Sequence, residues 1–290
     1  MGTRALPALF LAIGLRGLAA ATPTVVFLSD FGVTDDAVPI CKGVMLGIEP
    51  HLQIIDLTHQ VMPFSVRDGA RLLASTAPYY PSGTVFLTVI DPGVGTPRKP
   101  MVARTKRGQL FVLPDNGLIT LVAERDGLDG AREITRETWM RAGARSSTFH
   151  GRDVFSPVAA HLARGDDWRQ VGPPIEKPVR LELTAAHIDG DHLTGEAIAQ
   201  DGPYGNLLTN VDSALFAKLG YARGDTVTVR IGERELKLPF VRTFGDVAEG
   251  SPLLYFDSRD HVGLAINKGN FAVTYGVAIP ASITIAAPTH

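Results

Sequence analysis

The most constraining feature of the sequence is an alternation, from Thr24 onwards, between short β-branched runs and longer amphipathic runs. This alternation is typical of strands that are joined by crossover helices. The sequence therefore predicts an α/β fold whose N-terminal sheet is mostly parallel. The predicted strands cover residues 24–30, 51–59 and 83–92, and the predicted helices cover residues 35–50 and 65–80.

The rest of the chain divides at a proline-rich segment. Residues 101–113 predict a hairpin that turns at Arg107 and Gly108, and residues 117–127 and 152–165 predict helices. Residues 171–180 contain three prolines and alternating charges, as linkers often do. We therefore predict an N-terminal α/β domain over residues 23–175 and a smaller, mostly β, barrel-like domain over residues 176–290. Predicted strands of the second domain cover residues 225–232, 234–241, 252–256 and 281–287, with a short helix at 213–220.

Composition excludes two classes of function. The 290 residues are 45% hydrophobic, and 28 basic residues against 30 acidic ones give a formal charge of −2 without a basic stripe. We expect no nucleic-acid partner, because phosphate binding needs clustered positive charge. Cys41 is the single cysteine, which excludes an intrachain disulfide and a cysteine-rich zinc centre.

The first residues resemble a targeting segment. Residues 1–22 combine an early Arg4, an apolar run and a small-residue ending, which is typical of an export signal. Arg16 interrupts the apolar run, and a translation start placed too far upstream would leave a similar segment. The chain is therefore either exported or cytoplasmic. The run is too short to span a membrane, so we expect no membrane partner.

Polar residues directly after predicted strands are the first candidates for a site, because ligands of α/β sheets bind at the carboxyl ends of strands. Asp30 and Asp91 both stand there. An isolated aspartate in this place more often caps a turn or a helix. In DPGVGTPR at 91–98, however, two glycines and two prolines restrict the backbone, and Arg98 can fold back onto Asp91. A salt bridge that only stabilises the loop is the alternative.

Further candidates stand in glycine-containing loops. His150 in STFHGRD could act as a general base or orient water, although a histidine beside a helix start is more often a local cap. QDGPYGN at 200–206 places Asp201 and Asn206 in a loop that could hold a nucleoside base, and Arg259 in DSRD could bind a carboxylate. Dinucleotide, nucleoside-triphosphate and serine-hydrolase motifs are missing from the sequence.

Taken together, SDFG at 29–32, IDLTH at 55–59, residues 83–98, LPDNG at 113–117, STFHGRD at 147–153 and DGPYGN at 201–206 resemble the S-adenosylmethionine hydrolases. These enzymes, also called SAM hydroxide adenosyltransferases, are related to the fluorinating and chlorinating enzymes that use the same substrate. The resemblance extends from about Thr24 to the C-terminus. It implies that water attacks C5′ of the adenosyl group and that adenosine and L-methionine are formed. The sulfonium leaving group needs neither metal nor acid, so no cofactor is expected.

The resemblance also implies roles for individual residues. The catalytic set of the family falls on Asp91, Arg98 and His150. Asp30 matches the residue that accepts the ribose hydroxyls, and Asn206 the residue that contacts the adenine edge. The remaining substrate-binding positions are Asp35 and Asp201 for the ammonium group, Ser258 and Arg259 for the carboxylate, and Phe64, Phe149 and Phe244 as walls. In the family the site lies between two subunits of a trimer, so we expect a homotrimer.

Two alternatives to hydrolysis stay open at this stage. Residues 35–43 and 62–73 look similar to the halogenases, but those enzymes have a tyrosine where this chain has Asp91, and lack the Arg98 and His150 matches. The fluorinating enzyme also has an inserted loop that residues 101–113 lack. These differences favour water over halide as the nucleophile. The other alternative is a protein that binds adenosine or S-adenosylmethionine without catalysis.

Overall fold

The computed structural model describes residues 22–143 and 145–288. The predicted export signal lies almost entirely outside the described residues and stays a prediction. Within the described part of the chain, no helix is long and apolar enough to cross a membrane. The structure is mixed α/β, with one sheet in each half of the chain, as the sequence predicts.

The first sheet has six strands in the order β2, β1, β3, β5, β4, β6. The pairs of β1 with β2, β1 with β3, and β3 with β5 are parallel, while β4 pairs antiparallel with β5 and with β6. The central parallel strands β1 and β3 are mostly apolar because helices cover both faces of the sheet, whereas β2 at the sheet edge has no buried residue. The bounds are β1 Thr24–Ser29, β2 Gln53–Thr58, β3 Val85–Val89, β4 Pro100–Thr105, β5 Leu110–Pro114 and β6 Leu128–Glu133.

Four helices belong to this half of the molecule: α1 Ala37–Ile48, α2 Val66–Thr76, α3 Thr120–Asp126 and α4 Ser156–Ala163. On α1, Val38, Cys41 and Met45 are buried at helical spacing, and this face packs against the sheet together with α4. Ser65 caps α2 by accepting a hydrogen bond from the Asp68 amide over 3.2 Å. The helices thus leave the carboxyl ends of β1, β2 and β3 open at one edge.

The predicted helix over 152–165 begins differently from the prediction. Residues Gly151–Phe155 form a π-helical turn before α4. Pro157 has no amide hydrogen for the carbonyl oxygen of Asp153, which instead accepts a hydrogen bond from the Arg141 amide over 2.9 Å. The wider turn lies directly after His150.

The second sheet is antiparallel, barrel-like and nearly closed. Its order is β11, β10, β14, β8, β9, β13, β12, and β7 pairs with β8. A bridge between Phe240 and Leu254 brings the two end strands together. The bounds are β7 His187–Asp189, β8 His192–Asp201, β9 Asn206–Asp212, β10 Thr226–Ile231, β11 Arg234–Pro239, β12 Pro252–Phe256, β13 His261–Ile266 and β14 Ala281–Ala286, with α5 Ser213–Ala217 and α6 Phe271–Tyr275.

The segment between the two sheets lies against the first one. Pro174 forms a bridge with Arg132 of β6, and the Val179 amide donates to Asp115 Oδ1 over 2.8 Å. The predicted domain boundary at residues 175 and 176 falls inside this docked segment, and its exact position stays a prediction.

Candidate active site

The carboxyl ends of three neighbouring parallel strands bring candidate residues to one edge of the first sheet. Asp30 follows β1, His59 follows β2, and Asp91 follows β3. Helix α4 packs on the same sheet, and its preceding turn brings His150 to this edge. The fold therefore assembles groups from four separate stretches of sequence.

Asp91, Arg98 and His150 form one hydrogen-bonded cluster. Arg98 donates from Nε to Asp91 Oδ1 over 2.8 Å and from Nη2 to Oδ2, so the pair is bidentate. The same Nη2 lies 3.0 Å from His150 Nδ1. Nη1 of Arg98 is buried and has no hydrogen-bond partner within the described residues. The arginine thus joins the aspartate to the histidine and keeps one donor group free.

Glycines allow the loop that carries Asp91 and Arg98 to pack closely against its surroundings. Gly95 has a φ of +78°, and a Cβ atom added there would lie 2.7 Å from the carbonyl oxygen of Ser147. A Cβ atom on Gly93 would lie 3.1 Å from Cγ of Arg98. These close approaches explain why the sequence uses glycine, because a side chain at Gly95 would push the two loops of the site apart.

Asp153 anchors the segment that carries His150. Its carboxylate is fully buried and accepts from Arg152 Nε over 2.6 Å and from the Ser146 amide over 2.7 Å. These bonds lower the pKa of Asp153, with Arg152 as the main cause. The guanidinium of Arg152 in turn lies over the ring of Phe149 at 5.1 Å. Asp153 was not among the residues predicted for the site, although it belongs to the HGRD motif.

The protonation state of His150 follows from its neighbours. Arginine has no acceptor, so Nδ1 of His150 accepts the bond from Arg98 and the ring proton of a neutral imidazole is on Nε2. Burial, followed by the charge of Arg98, lowers the pKa of His150 below 6.5, and the carboxylates of Asp91 and Asp153 oppose this shift. The imidazole is therefore neutral at neutral pH.

Asp30 stands across the same cavity. Its Oδ2 accepts a hydrogen bond from the Phe64 amide over 2.9 Å. Phe64 has a φ of +65°, which is a strained conformation for a phenylalanine. The cavity has a volume of about 240 Å³ and is lined by Asp30, Phe31, Pro63, Phe64, Val89, Asp91, Val94, Thr148, Phe149, His150 and Gly151.

A second cavity lies on the barrel-like half of the chain. It has a volume of about 670 Å³, and its lining includes Asp201, Asn206 and Phe244. Asn206 is buried, and Phe244 packs against Tyr255 with ring centroids 5.0 Å apart. The two cavities share no lining residue. The predicted site residues are thus divided between two separate surfaces of one chain.

Four predicted site residues line neither cavity. One of them is Arg98, which is buried behind the first cavity and contacts Asp91 and His150, two residues of its lining. Asp35 is exposed before α1 and accepts a bond from the Ala37 amide over 3.1 Å. Ser258 and Arg259 stand in the turn between β12 and β13, where the Arg259 amide donates to Asp257 over 2.8 Å. Their predicted contacts with substrate remain predictions.

The described residues contain no cluster of three or more histidine, cysteine or acidic side chains that could hold a metal ion. A neutral histidine, a buried carboxylate and a fixed guanidinium beside a small cavity define an enzyme that activates a nucleophile through proton transfer and charge.

Comparison with known proteins identifies the class more closely. Residues 25–172 match the SAM hydroxide adenosyltransferase N-terminal domain, and residues 195–284 match the SAM hydroxide adenosyltransferase C-terminal domain. The chain belongs to the SAM hydroxide adenosyltransferase family.

Individual relatives match nearly the whole chain. An (R)-S-adenosyl-L-methionine hydrolase of Salinispora tropica is 40% identical over 263 residues, which cover 89% of this chain and 95% of the relative. A fluorinase of an Actinoplanes species is 31% identical, with 91% and 96% covered. The crystal structure of an uncharacterized conserved protein from Thermotoga maritima superposes with a TM-score of 0.86 at 38% identity, with 90% and 99% covered.

Proposed function

We propose that the protein hydrolyses S-adenosyl-L-methionine to adenosine and L-methionine. The bidentate pair of Arg98 with Asp91, with His150 on the same guanidinium, is the observation that carries the proposal. Relatives named (R)-S-adenosyl-L-methionine hydrolase reach 40% identity, and those named fluorinase reach 31%. We therefore propose the (R) epimer at sulfur as the preferred substrate.

The reaction is a displacement at C5′. A bond forms between the water oxygen and C5′, the C5′–S bond breaks with its electron pair going to sulfur, and the water loses one proton. Both Asp91 oxygens keep a lone pair beyond the bonds from Arg98, so the carboxylate can accept this proton. The Nε2 hydrogen of neutral His150 orients the water. The positive charge of Arg98, held beside Asp91 and His150, stabilises the hydroxide character that develops on the oxygen.

The two cavities support the following positions for the substrate. Asp30 accepts the ribose hydroxyls, and Phe64 and Phe149 form walls that exclude water from the reacting atoms. Asn206 contacts the adenine edge, beside Phe244. We assign Asp35 and Asp201 to the ammonium group, and Ser258 and Arg259 to the carboxylate, as the sequence resemblance implies.

We further propose that the complete site forms between two subunits of a homotrimer. The separation of the two cavities within one chain supports this arrangement. Phe64, beside the first cavity, is 73% exposed and Tyr204, beside the second, is 66% exposed. Contact between the first surface of one copy and the second surface of the next would bury both side chains.

The proposed activity can be tested with purified full-length protein and each sulfonium epimer, in buffer without halide. Equal amounts of adenosine and methionine are expected from the (R) epimer. The halogenase alternative predicts no turnover until chloride or fluoride is added, and then a 5′-halogenated adenosine. Tight binding of substrate without turnover, unaffected by Asp91→Ala, would instead indicate a binding protein.

A further inference from the structure

A series of polar side-chain contacts lies at the ends of β1 and β2, where the chain enters the wall of the first cavity. Ser29 Oγ and His59 Nδ1 are 2.8 Å apart, and His59 Nε2 lies 3.1 Å from Asp56 Oδ1. Lys42 pairs with the other oxygen of Asp56. Ser29 is completely buried and His59 is 5% exposed. The mechanism proposed above uses none of these four residues.

The order of serine, histidine and aspartate resembles a nucleophilic triad, but its surroundings exclude that role. Ser29 is not among the residues that line the cavity, although its neighbours Asp30 and Phe31 are. The ring of His59 packs edge-on against Phe27 with centroids 4.7 Å apart. A nucleophile must reach its substrate, and the hydroxyl of Ser29 is closed off from solvent.

The contact between Ser29 and His59 instead fixes the backbone on both sides of Asp30. The Phe31 amide lies 3.4 Å from Ser29 Oγ, and the Gly32 amide donates to the His59 carbonyl oxygen over 2.7 Å. The amide of Val61, just after His59, donates to the carbonyl oxygen of Ser29 over 3.4 Å. The ends of β1 and β2 are thereby tied to each other at the point where the chain enters the cavity wall.

The link between the ends of β1 and β2 also determines the position of Phe64, whose amide contacts the carboxylate of Asp30. The loop after His59 leads to Phe64, whose amide donates to Asp30 Oδ2 and whose φ of +65° is strained. Such strain persists only where the surrounding structure holds it, and it is common at functional sites. The backbone of Asp30 and the donor that orients its carboxylate therefore both depend on the contact between Ser29 and His59.

We propose that Ser29 and His59 are positioning residues that aim the Asp30 carboxylate at the ribose hydroxyls of the substrate. This inference rests on the proposed function, in which Asp30 accepts those hydroxyls. Neither residue touches the substrate. Their effect is specific for the ribose, because Asp30 is the group that they hold.

Three variants separate this role from general stabilisation. His59→Asn places an amide near the position of Nδ1 and keeps a partner for Ser29, whereas His59→Gln places its amide near Nε2 and loses that partner. Ser29→Ala removes the same contact from the other side with a minimal change in volume. Urea denaturation of all three identifies any variant that fails to fold, and Ser29→Ala decides the outcome if His59→Gln is unfolded.

The measurement is the ratio of the dissociation constants of 2′-deoxyadenosine and adenosine, determined by calorimetry. The wild-type protein should bind adenosine about tenfold more tightly, which corresponds to one hydrogen bond to a charged group. His59→Gln and Ser29→Ala should bring the ratio close to one, and His59→Asn should keep the wild-type ratio. A general loss of packing would weaken the binding of both nucleosides equally.

The inference is overturned if His59→Gln and Ser29→Ala keep the wild-type ratio, or if the wild-type protein does not distinguish the two nucleosides. Parallel assays of S-adenosylmethionine cleavage keep the two proposals apart. Cleavage by the wild type together with unchanged ratios in the variants contradicts only the positioning role. If the ratio of dissociation constants falls to about one in the variants but the wild-type protein never cleaves S-adenosylmethionine, only the proposed hydrolysis is contradicted.

Discussion

Arg98 and Asp91 form a bidentate pair in which both side chains are almost fully buried, at 9% and 5% exposure. The two residues stand at opposite ends of the loop over 91–98, so their contact closes that loop. Because Arg98 also contacts His150, the pair connects the loop to the segment before α4. The geometry of the candidate site therefore depends on one guanidinium.

Asp91→Asn should lower kcat by at least about 100-fold, because the amide cannot accept a proton from the attacking water. KM should change less, since the carboxylate acts on the water and not on the bound substrate. Steady-state kinetics with S-adenosylmethionine measure both constants. Asp129→Asn is the matched control, because it removes an exposed partner of Arg104 outside the site. Wild-type kcat in Asp91→Asn would exclude the carboxylate as the proton acceptor.

The same pair should contribute to stability. Asp91→Ala leaves the Arg98 guanidinium buried without its partner, which should reduce the free energy of unfolding by about 3–5 kcal/mol. Asp129→Ala should cost less than about 1 kcal/mol, because exposed ion pairs contribute little. Urea denaturation of both variants gives the comparison. Equal losses in the two variants would show that burial of the Arg98 pair has no special effect.

His150 should determine the acid limb of the pH profile of kcat/KM. The pKa of His150 in the folded protein lies below its ordinary value of 6.5, so the midpoint of the acid limb of kcat/KM should lie below pH 6.5. As pH falls through this midpoint, Nδ1 is protonated and can no longer accept from Arg98, so kcat/KM should fall. An acid limb centred above pH 6.5 would contradict the assignment. His51→Gln, which changes an exposed histidine, should leave the profile unchanged.

The free energy of unfolding should also depend on the titration of His150. The unfolded chain has the higher pKa at His150, so it binds the proton first, and the free energy of unfolding should decrease as pH falls through 6.5 and below. His150→Gln has no imidazole that can bind this proton, so its free energy of unfolding should decrease less. Urea denaturation between pH 7 and about pH 5 measures the difference between the two proteins. Parallel curves would place the titrating group elsewhere.

Gly95→Ala tests the contact between the two loops of the site. Alanine at a positive φ should cost about 1–2 kcal/mol at any position. At Gly95 the new methyl group would also meet the carbonyl oxygen of Ser147, and kcat should fall because His150 is displaced. Gly83 has a φ of +83° and, within the described residues, no atom within 4 Å of an added Cβ. Gly83→Ala should therefore lose only the stability that the positive φ costs and should keep wild-type kcat.

The shared site of the proposed trimer predicts complementation between two inactive variants. Asp91→Asn damages the surface of the first cavity, and Asn206→Ala damages that of the second. Unfolding and refolding the two together should restore about one quarter of the wild-type activity, because about one interface in four combines two intact surfaces. Activity no greater than that of the separate variants would place the whole site within one chain.

The sequence predicted the buried elements of the fold better than its edges. The runs that form β1 and β3 are mostly apolar and almost fully buried, and they are recognisable because both faces of the sheet are covered. Strand β6 was not predicted, because its sequence LDGARE pairs at the sheet edge and buries little apolar surface. Strand β8 was also missed: its buried positions include Gly195, Ala197 and Ala199, whose small side chains give a weak alternation.

The contacts of the candidate site could also be predicted only in part from the sequence. The contact of Arg98 with Asp91 was predictable from their short separation in DPGVGTPR, and the structure contains it. The contact with His150, 52 residues further along, depends on how α4 packs, and only the family resemblance indicated it. His59 was not predicted as a site residue, because no local pattern shows that Ser29 and His59 are buried against each other.

Hydrolysis of S-adenosylmethionine in water enriched in ¹⁸O is the sharpest test of whether water attacks C5′. Attack of water at C5′ puts the solvent oxygen on the adenosine, so mass spectrometry should find ¹⁸O in the 5′-hydroxyl group of adenosine and none in methionine. The label should appear without added halide and at a strongly reduced rate in Asp91→Asn. Unlabelled adenosine, label in methionine, or product formed only with halide present would contradict the account.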